Sequence, residues 1–291
     1  MNALLNRVFG RTSPSLGEDY PAIKAHVLKR IADTAVGENP FYHLYIESLF
    51  PEDFYTAMFD YKQALKVSGQ MIARNQDNAA FQNRRYPLAD DHTQAVRQFR
   101  ALWDDFDVRK AVLEKFYIAP NDAFCDSVRI HEKEFEFVFC EEGRFQNIHV
   151  DIPQKFLSFV FYFPEIGMDE QDEKANATIL YNRELEPVYG ARFRANSVCI
   201  FAPHFYSYHG FATTRERDVL VMFYTREKNA RDWQEVTRND LDRGPDFKAT
   251  LDLVEEKLEA FPLIEYGADP ARIARERAAC RINAPKGRVI K

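Results

Sequence analysis

Apolar positions recur at helical spacing along Tyr20–Thr34 (YPAIKAHVLKRIADT), which predicts an amphipathic helix. Phe41–Ile46 then reads as a short strand. Phe50–Pro51–Glu52–Asp53 puts a proline and two acids where the first turn of a helix favours them, and predicts a helix to about Tyr61. Ile72–Asp91, with its NQDN and NRRYP stretches, is polar and irregular and is expected as a surface loop. Thr93–Phe116 returns to helical spacing.

From Ser127 the period changes. SVRIHEKEFEFVF alternates polar and apolar residues, the mark of a half-buried strand. Short strand candidates follow at Arg144–His149, Phe156–Phe163, Thr178–Tyr181, Ser197–Phe201 and Asp218–Tyr224, with an acidic, loop-like stretch at Glu165–Ala175. Many short strands with turns between them point to a sandwich or barrel. After Thr225 the chain becomes charged, with helix candidates at 247–259 and 270–279. The expected class is α+β with a mainly β core in one domain. A helical N-terminal region with an entry strand spans 1–120, the β core spans 121–228, and a helical extension spans 229–291. The helices are expected on one face of the β core.

Composition narrows the function classes. Hydrophobic residues at 46% and charged residues at 29% of 291 are ordinary for a globular protein. The 25 Phe and 14 Tyr favour strands and a large core. A net charge of −6 without a dense Lys/Arg run argues against a nucleic-acid partner. The longest apolar stretch, around Phe156–Pro164, is far short of the roughly 20 residues a membrane span needs. The first 17 residues carry two Arg, two Ser and no acid, a composition shared with transit peptides, but no secretory apolar region. A cytoplasmic location is the expectation. Cys125, Cys140, Cys199 and Cys280 form no CxxC pair and are expected as buried free thiols.

The strongest chemical signal is His149–Val150–Asp151 at the end of a strand candidate. Residues i and i+2 of an extended segment point to one side, so this His and carboxylate can ligate one metal. His209, in SYHGF after the strand NSVCIFAP, is the best third ligand. Two His and one carboxylate with open coordination positions suit non-heme Fe(II). Arg217 opens the next strand, with Arg215 as its rival at the same parity.

These segments resemble the 2-oxoglutarate- and Fe(II)-dependent oxygenases, near the prolyl-hydroxylase-like branch. The residues carrying the resemblance are RFQNIHVDIPQKFLSFVFYFP, ANATILY, FRANSVCIFAP and SYHGFATTRERDVLVMFYT, about Arg144–Thr225. NPFYHLYIESLFPEDFYTAM also looks like the family's entry strand and helix. The resemblance implies a double-stranded β-helix, or distorted jelly roll, with flanking N- and C-terminal helices. It implies that His149, Asp151 and His209 hold iron, that Arg217 pairs with the distal carboxylate of 2-oxoglutarate, and that Tyr162 or Ser158 adds a hydroxyl to that carboxylate. The implied cofactors are Fe(II), the co-substrate 2-oxoglutarate, and O2. The implied reaction is oxidation of a substrate C–H bond, with succinate and CO2 as co-products. Because Asp151 is intact, hydroxylation is the default outcome, with desaturation or cyclisation sharing the same metal ligands.

A small-molecule substrate is expected, with the N-terminal helices capping a closed pocket, and the amphipathic helices supply a candidate homodimer face. The rival readings are a cupin-like metal-binding barrel without 2-oxoglutarate chemistry and a protein side-chain hydroxylase. Among the other histidines, His204 reads as a loop residue and His131 as solvated on the polar side of its strand. His26, His43 and His92 lack nearby ligand partners in sequence. Arg144 and Gln146 are candidates for facing substrate. Thr178 and Asn196 read as ordinary turn residues.

Overall fold

The computed structural model describes residues 16–74, 83–91, 93–117, 120–149, 151, 155–182, 184–203 and 207–225. The helix candidates at 247–259 and 270–279, Cys280, His92, His204 and the first 15 residues lie outside them.

In chain order the elements begin with α1 (Tyr20–Asp33), β1 (His43–Glu47), α2 (Glu52–Ser68), β2 (Ile72–Arg74), β3 (Asn83–Pro87), α3 (Gln94–Asp104) and α4 (Phe106–Leu113). There follow α5 (Asp122–Ser127), β4 (Arg129–Ile130), β5 (Glu136–Cys140), β6 (Phe145–His149), β7 (Leu157–Tyr162) and α6 (Glu170–Ala175). The chain then forms β8 (Thr178–Tyr181), β9 (Pro187–Ala191), β10 (Ser197–Phe201), β11 (His209–Ala212) and β12 (Arg217–Thr225). One antiparallel sheet runs β1-β10-β7-β12-β5-β3-β2, with β4 beside β12, and a smaller one runs β6-β11-β8-β9.

The central strands of the larger sheet, β5, β7, β10 and β12, are buried on both faces. Along β7, Phe159, Phe161 and Phe163 face one way, into a core shared with the helices, where Phe99 and Trp103 of α3 pack on them. Phe99 also stacks on Phe135 and packs against Phe50, so one helical aromatic ring ties three segments together. The alternate residues point into a second cluster between the sheets. It contains Val138, Tyr162, Cys199, Phe201 and Val219 of the large sheet, with Leu180 and Ala191 of the small one. Cys125, Cys140 and Cys199 are buried free thiols, as expected.

Local signals explain most element ends. α2 starts after Pro51 with Glu52 and Asp53 in its first turn, and stops at Gly69 in the left-handed region (φ +68°). It runs two turns beyond the predicted end. The single helix expected over Thr93–Phe116 is two, because the Asp105 side chain accepts from Asp107 N and Val108 N and starts α4 there. Ile72–Asp91 is not only loop: β2 and β3 extend the large sheet at its edge through pairing with β5. The alternating stretch after Ser127 is not one strand either. It divides into β4, a 3-10 turn at Glu132–Glu134 and β5, which is buried throughout. His131 is accordingly 3% exposed, not solvated. Strands β9 and β11 and helix α5 had no prediction, and the stretch expected as loop at Glu165–Ala175 contains helix α6, which the Asp169 side chain starts by accepting from Asp172 N. No helix among the described residues is long and apolar enough to cross a membrane.

A buried ionic network joins α2 to the start of β12. The Lys62 Nζ, fully buried, donates to Phe163 O (3.2 Å), Glu165 Oε1 (3.0 Å) and Asp218 Oδ2 (3.1 Å). Lys66 reaches Glu165, Glu216 and Asp218 at 2.7 to 3.0 Å. Asp218 points to the helix side, so fixing it fixes its neighbour Arg217 toward the space between the sheets. Asp218→Ala removes a partner from a buried ammonium and should lower the unfolding free energy by about 3 kcal/mol. Urea denaturation followed by circular dichroism measures this; an unchanged midpoint would mean that Glu165 alone satisfies Lys62.

Candidate metal centre

β6 ends at His149 and β11 begins at His209, and the two residues are direct register partners. Their ring centroids lie 4.2 Å apart. Asp151 follows two residues after His149, and its Oδ2 lies 3.9 Å from His209 Nε2. One ligand atom from each of His149, Asp151 and His209 falls within 4.8 Å of the others. The next pairing after His209–His149 is Phe211–Gln146, so β6 carries one residue more than β11 over this step. Such a bulge re-aims side chains. Here it brings Gln146 to His149, with their Nε2 atoms 2.9 Å apart.

The electrostatics suit a cation. His209 Nδ1 lies 2.9 Å from Ser207 O, which can only accept, so Nδ1 carries the proton and Nε2 presents its lone pair toward Asp151. Burial, helped by the neighbouring His149, pushes the His209 pKa down to about 3 against the pull of Asp151, so the ring is neutral at pH 7. Burial would raise the Asp151 carboxyl. The Lys155 ammonium, His209, His149 and the Ser158 hydroxyl more than offset this and hold it well below the usual range. Both carboxylate oxygens are engaged: Oδ1 accepts from Lys155 Nζ (3.1 Å) and Oδ2 from Ser158 Oγ (2.6 Å).

Arg217 lies at the other end of the inter-sheet space, 2% exposed. Its Nε donates to Asn176 O (3.0 Å) and its Nη2 to Thr178 Oγ1 (2.8 Å), and its guanidinium sits 4.0 Å over the Phe211 ring. Tyr162 donates to the same Thr178 oxygen (2.7 Å). No carboxylate among the described residues lies within salt-bridge distance of Arg217. Its rival Arg215 is exposed and pairs with Asp172 (3.3 Å). A buried guanidinium without a counter-charge is costly, and an anion entering this space offsets that cost.

All six site residues named from the sequence line this space, at two ends. Ser158 stands at the triad end, on Asp151, and not beside Arg217; the hydroxyl beside the guanidinium is that of Thr178, with Tyr162 behind it. Sequence reasoning read Thr178 as a turn residue and overlooked Asn176, whose side chain accepts from Thr214 N and Arg215 N and so locks the turn into β12. It also overlooked Lys155. The available signal was a lysine immediately before the apolar run of β7, four residues after Asp151. Helices α1 to α5 pack on the far face of the large sheet and do not cap this space.

No family model matches the chain, and no curated protein matches it. Solved structures are similar to it. A prolyl-4-hydroxylase from Pseudomonas putida is 15% identical, with a TM-score of 0.48 over 69% of this chain and 98% of that one. A prolyl hydroxylase from Trichoplax adhaerens, in complex with a hypoxia inducible factor peptide fragment, is 13% identical, with a TM-score of 0.49 over 75% and 96%. SnoN, a non-heme alpha ketoglutarate dependent epimerase from nogalamycin biosynthesis, is 9% identical, with a TM-score of 0.44 over 70% and 83%.

The His209 shift makes a prediction for the metal-free protein. The folded value of about 3 lies below the ordinary 6.5, so the folded state binds the proton less readily. Stability from this residue is full above the ordinary value and is lost as pH falls toward the folded one. The slope reaches at most about 1.4 kcal/mol per pH unit. His209→Gln should flatten the pH dependence of the urea midpoint between about pH 6.5 and 4.5, above the range where an unfolded Asp titrates. Equal slopes in the two proteins would mean that the ring is solvated.

Proposed function

We propose that the chain is an Fe(II)- and 2-oxoglutarate-dependent oxygenase of the prolyl-hydroxylase-like branch. It oxidises a C–H bond of a small-molecule substrate, by default through hydroxylation, with succinate and CO2 as co-products. The observation that carries this reading is a cluster of two imidazoles and one carboxylate at one end of a buried space whose other end holds a guanidinium without a carboxylate partner among the described residues. Thr178, on Arg217, and Leu180, the register partner of His209, are two residues apart on one face of β8. That separation is about 7 Å, within reach of a short keto-diacid. The passage of β5 through β12 between the two sheets, β5-β12-β7-β10 against β6-β11-β8-β9, supports reading them as a double-stranded β-helix.

The residues present fit the cofactors. His149, Asp151 and His209 would hold the iron from one side and leave open positions. Once bound, the iron with the keto-acid supplies O2 activation, which no side chain here can supply. Arg217 would pair with the distal carboxylate of 2-oxoglutarate through charge-assisted hydrogen bonds. Asn176 and Thr178 fix the plane of its fork, and Tyr162 buttresses Thr178. Phe211 over Arg217 and Phe201 against His209 (4.5 Å) keep water from both ends. The triad is recessed, with His209 at 8% exposure, which favours a small or slender substrate.

Anaerobic protein with Fe(II) and 2-oxoglutarate should show the weak visible charge-transfer band of keto-acid chelation. His149→Ala should abolish it. Arg217→Ala should need about ten- to a hundredfold more 2-oxoglutarate, the scale of losing charged hydrogen bonds. Metal binding without the band would overturn the reading in favour of a cupin-like metal-binding barrel.

A further inference from the structure

Lys155 is a buried charged residue beside Asp151 that the reading above gives no task. Its Nζ lies 3.1 Å from Asp151 Oδ1, 3.0 Å from Glu134 Oε2 and 3.3 Å from the centroid of the Phe223 ring. The residue is 5% exposed. Phe223 is the register partner of Ser158, so the ammonium is seated on the inner face of the large sheet at the level of the triad.

We propose that Lys155 is a positioning residue for the metal centre: it reserves Asp151 Oδ1 so that the carboxylate ligates through Oδ2 alone. The inference rests on the metal-binding reading of the triad. A carboxylate can ligate through one oxygen or two. Two-oxygen ligation by Asp151 would consume a position that a chelating keto-acid and O2 need. Each carboxylate oxygen has two acceptor sites. On Oδ2, Ser158 occupies one and the other remains toward His209, 3.9 Å away. On Oδ1, the ammonium holds the carboxylate from the opposite side. Glu134 and the Phe223 ring keep that ammonium from swinging away, and burial removes the water that would compete for it.

The second carboxylate is part of the device. An ammonium paired with Asp151 alone would cancel the charge that attracts a divalent ion. Asp151, Lys155 and Glu134 together sum to −1, the charge of an unpaired aspartate. Lys155 thus steers one oxygen without neutralising the site.

Infrared difference spectra, metal-bound minus metal-free, test this with Zn(II) as the probe and [13C]carboxyl-aspartate to mark the bands. Ligation through one oxygen splits the antisymmetric and symmetric stretches widely; ligation through two splits them narrowly. The wild type should give the wide splitting, Lys155→Met the narrow one, and Lys155→Arg the wide one again. Lys155→Ala serves if the Met variant does not fold by circular dichroism. Narrow splitting in the wild type overturns the proposal, and so does wide splitting in a folded Met or Ala variant. A wild type with no zinc-dependent aspartate band defeats the metal-binding reading itself, which is a separate outcome.

Discussion

Side chains alternate across a strand, and the large sheet is covered on both sides, so each of its central strands serves two cores at once. On β7 the outward residues are Phe159 and Phe161, which the helices cover. The inward ones are Ser158, Val160 and Tyr162, which run from the triad to Arg217. A slip of one residue in register would exchange these sets and put aromatic rings where the site needs hydroxyls. The aromatic packing of α3 on β7 and the buried Lys62 network at β12 hold that register. The chemistry of the inner face therefore depends on the packing of the outer one.

The same geometry explains why charge is tolerated inside. Asp151 and Glu134 share the Lys155 ammonium at one end, leaving a net −1, and Lys62, Lys66, Glu165 and Asp218 pair with one another on the outer side of the opposite end. Arg217 alone carries a buried charge with only neutral acceptors, a backbone carbonyl and a hydroxyl, among the described residues. In a medium of low dielectric this asymmetry is a binding preference: the space is prepared for a cation at the triad and an anion at the guanidinium.

Much of this was legible in the residues. Short apolar runs bounded by turn material located β7, β8, β10 and β12 to within one or two residues. The helical period located α1 well and merged α3 with α4, because one capping aspartate does not interrupt an apolar stripe. Strands β2, β3 and β9 were missed for a different reason. β2 and β9 are edge strands and β3 lies next to the edge; their polar or exposed side chains are held by backbone pairing that leaves little trace in composition. His131 was misplaced because its alternating segment breaks at a 3-10 turn, after which parity no longer predicts burial.

The sequence by itself determined which residues could be ligands: an HxD at a strand end, a second His after a later strand and an Arg opening the last one. Residue type and local spacing suffice for that, since they set donor chemistry and parity. Only the tertiary structure decided which of two arginines is buried, that Ser158 serves Asp151 while Thr178 serves Arg217, and that Lys155 and Glu134 belong to the metal end. Those outcomes depend on cross-strand register, on the β6 bulge and on contacts between residues far apart in the chain. No local pattern encodes such contacts, because they exist only once both sheets have closed on each other.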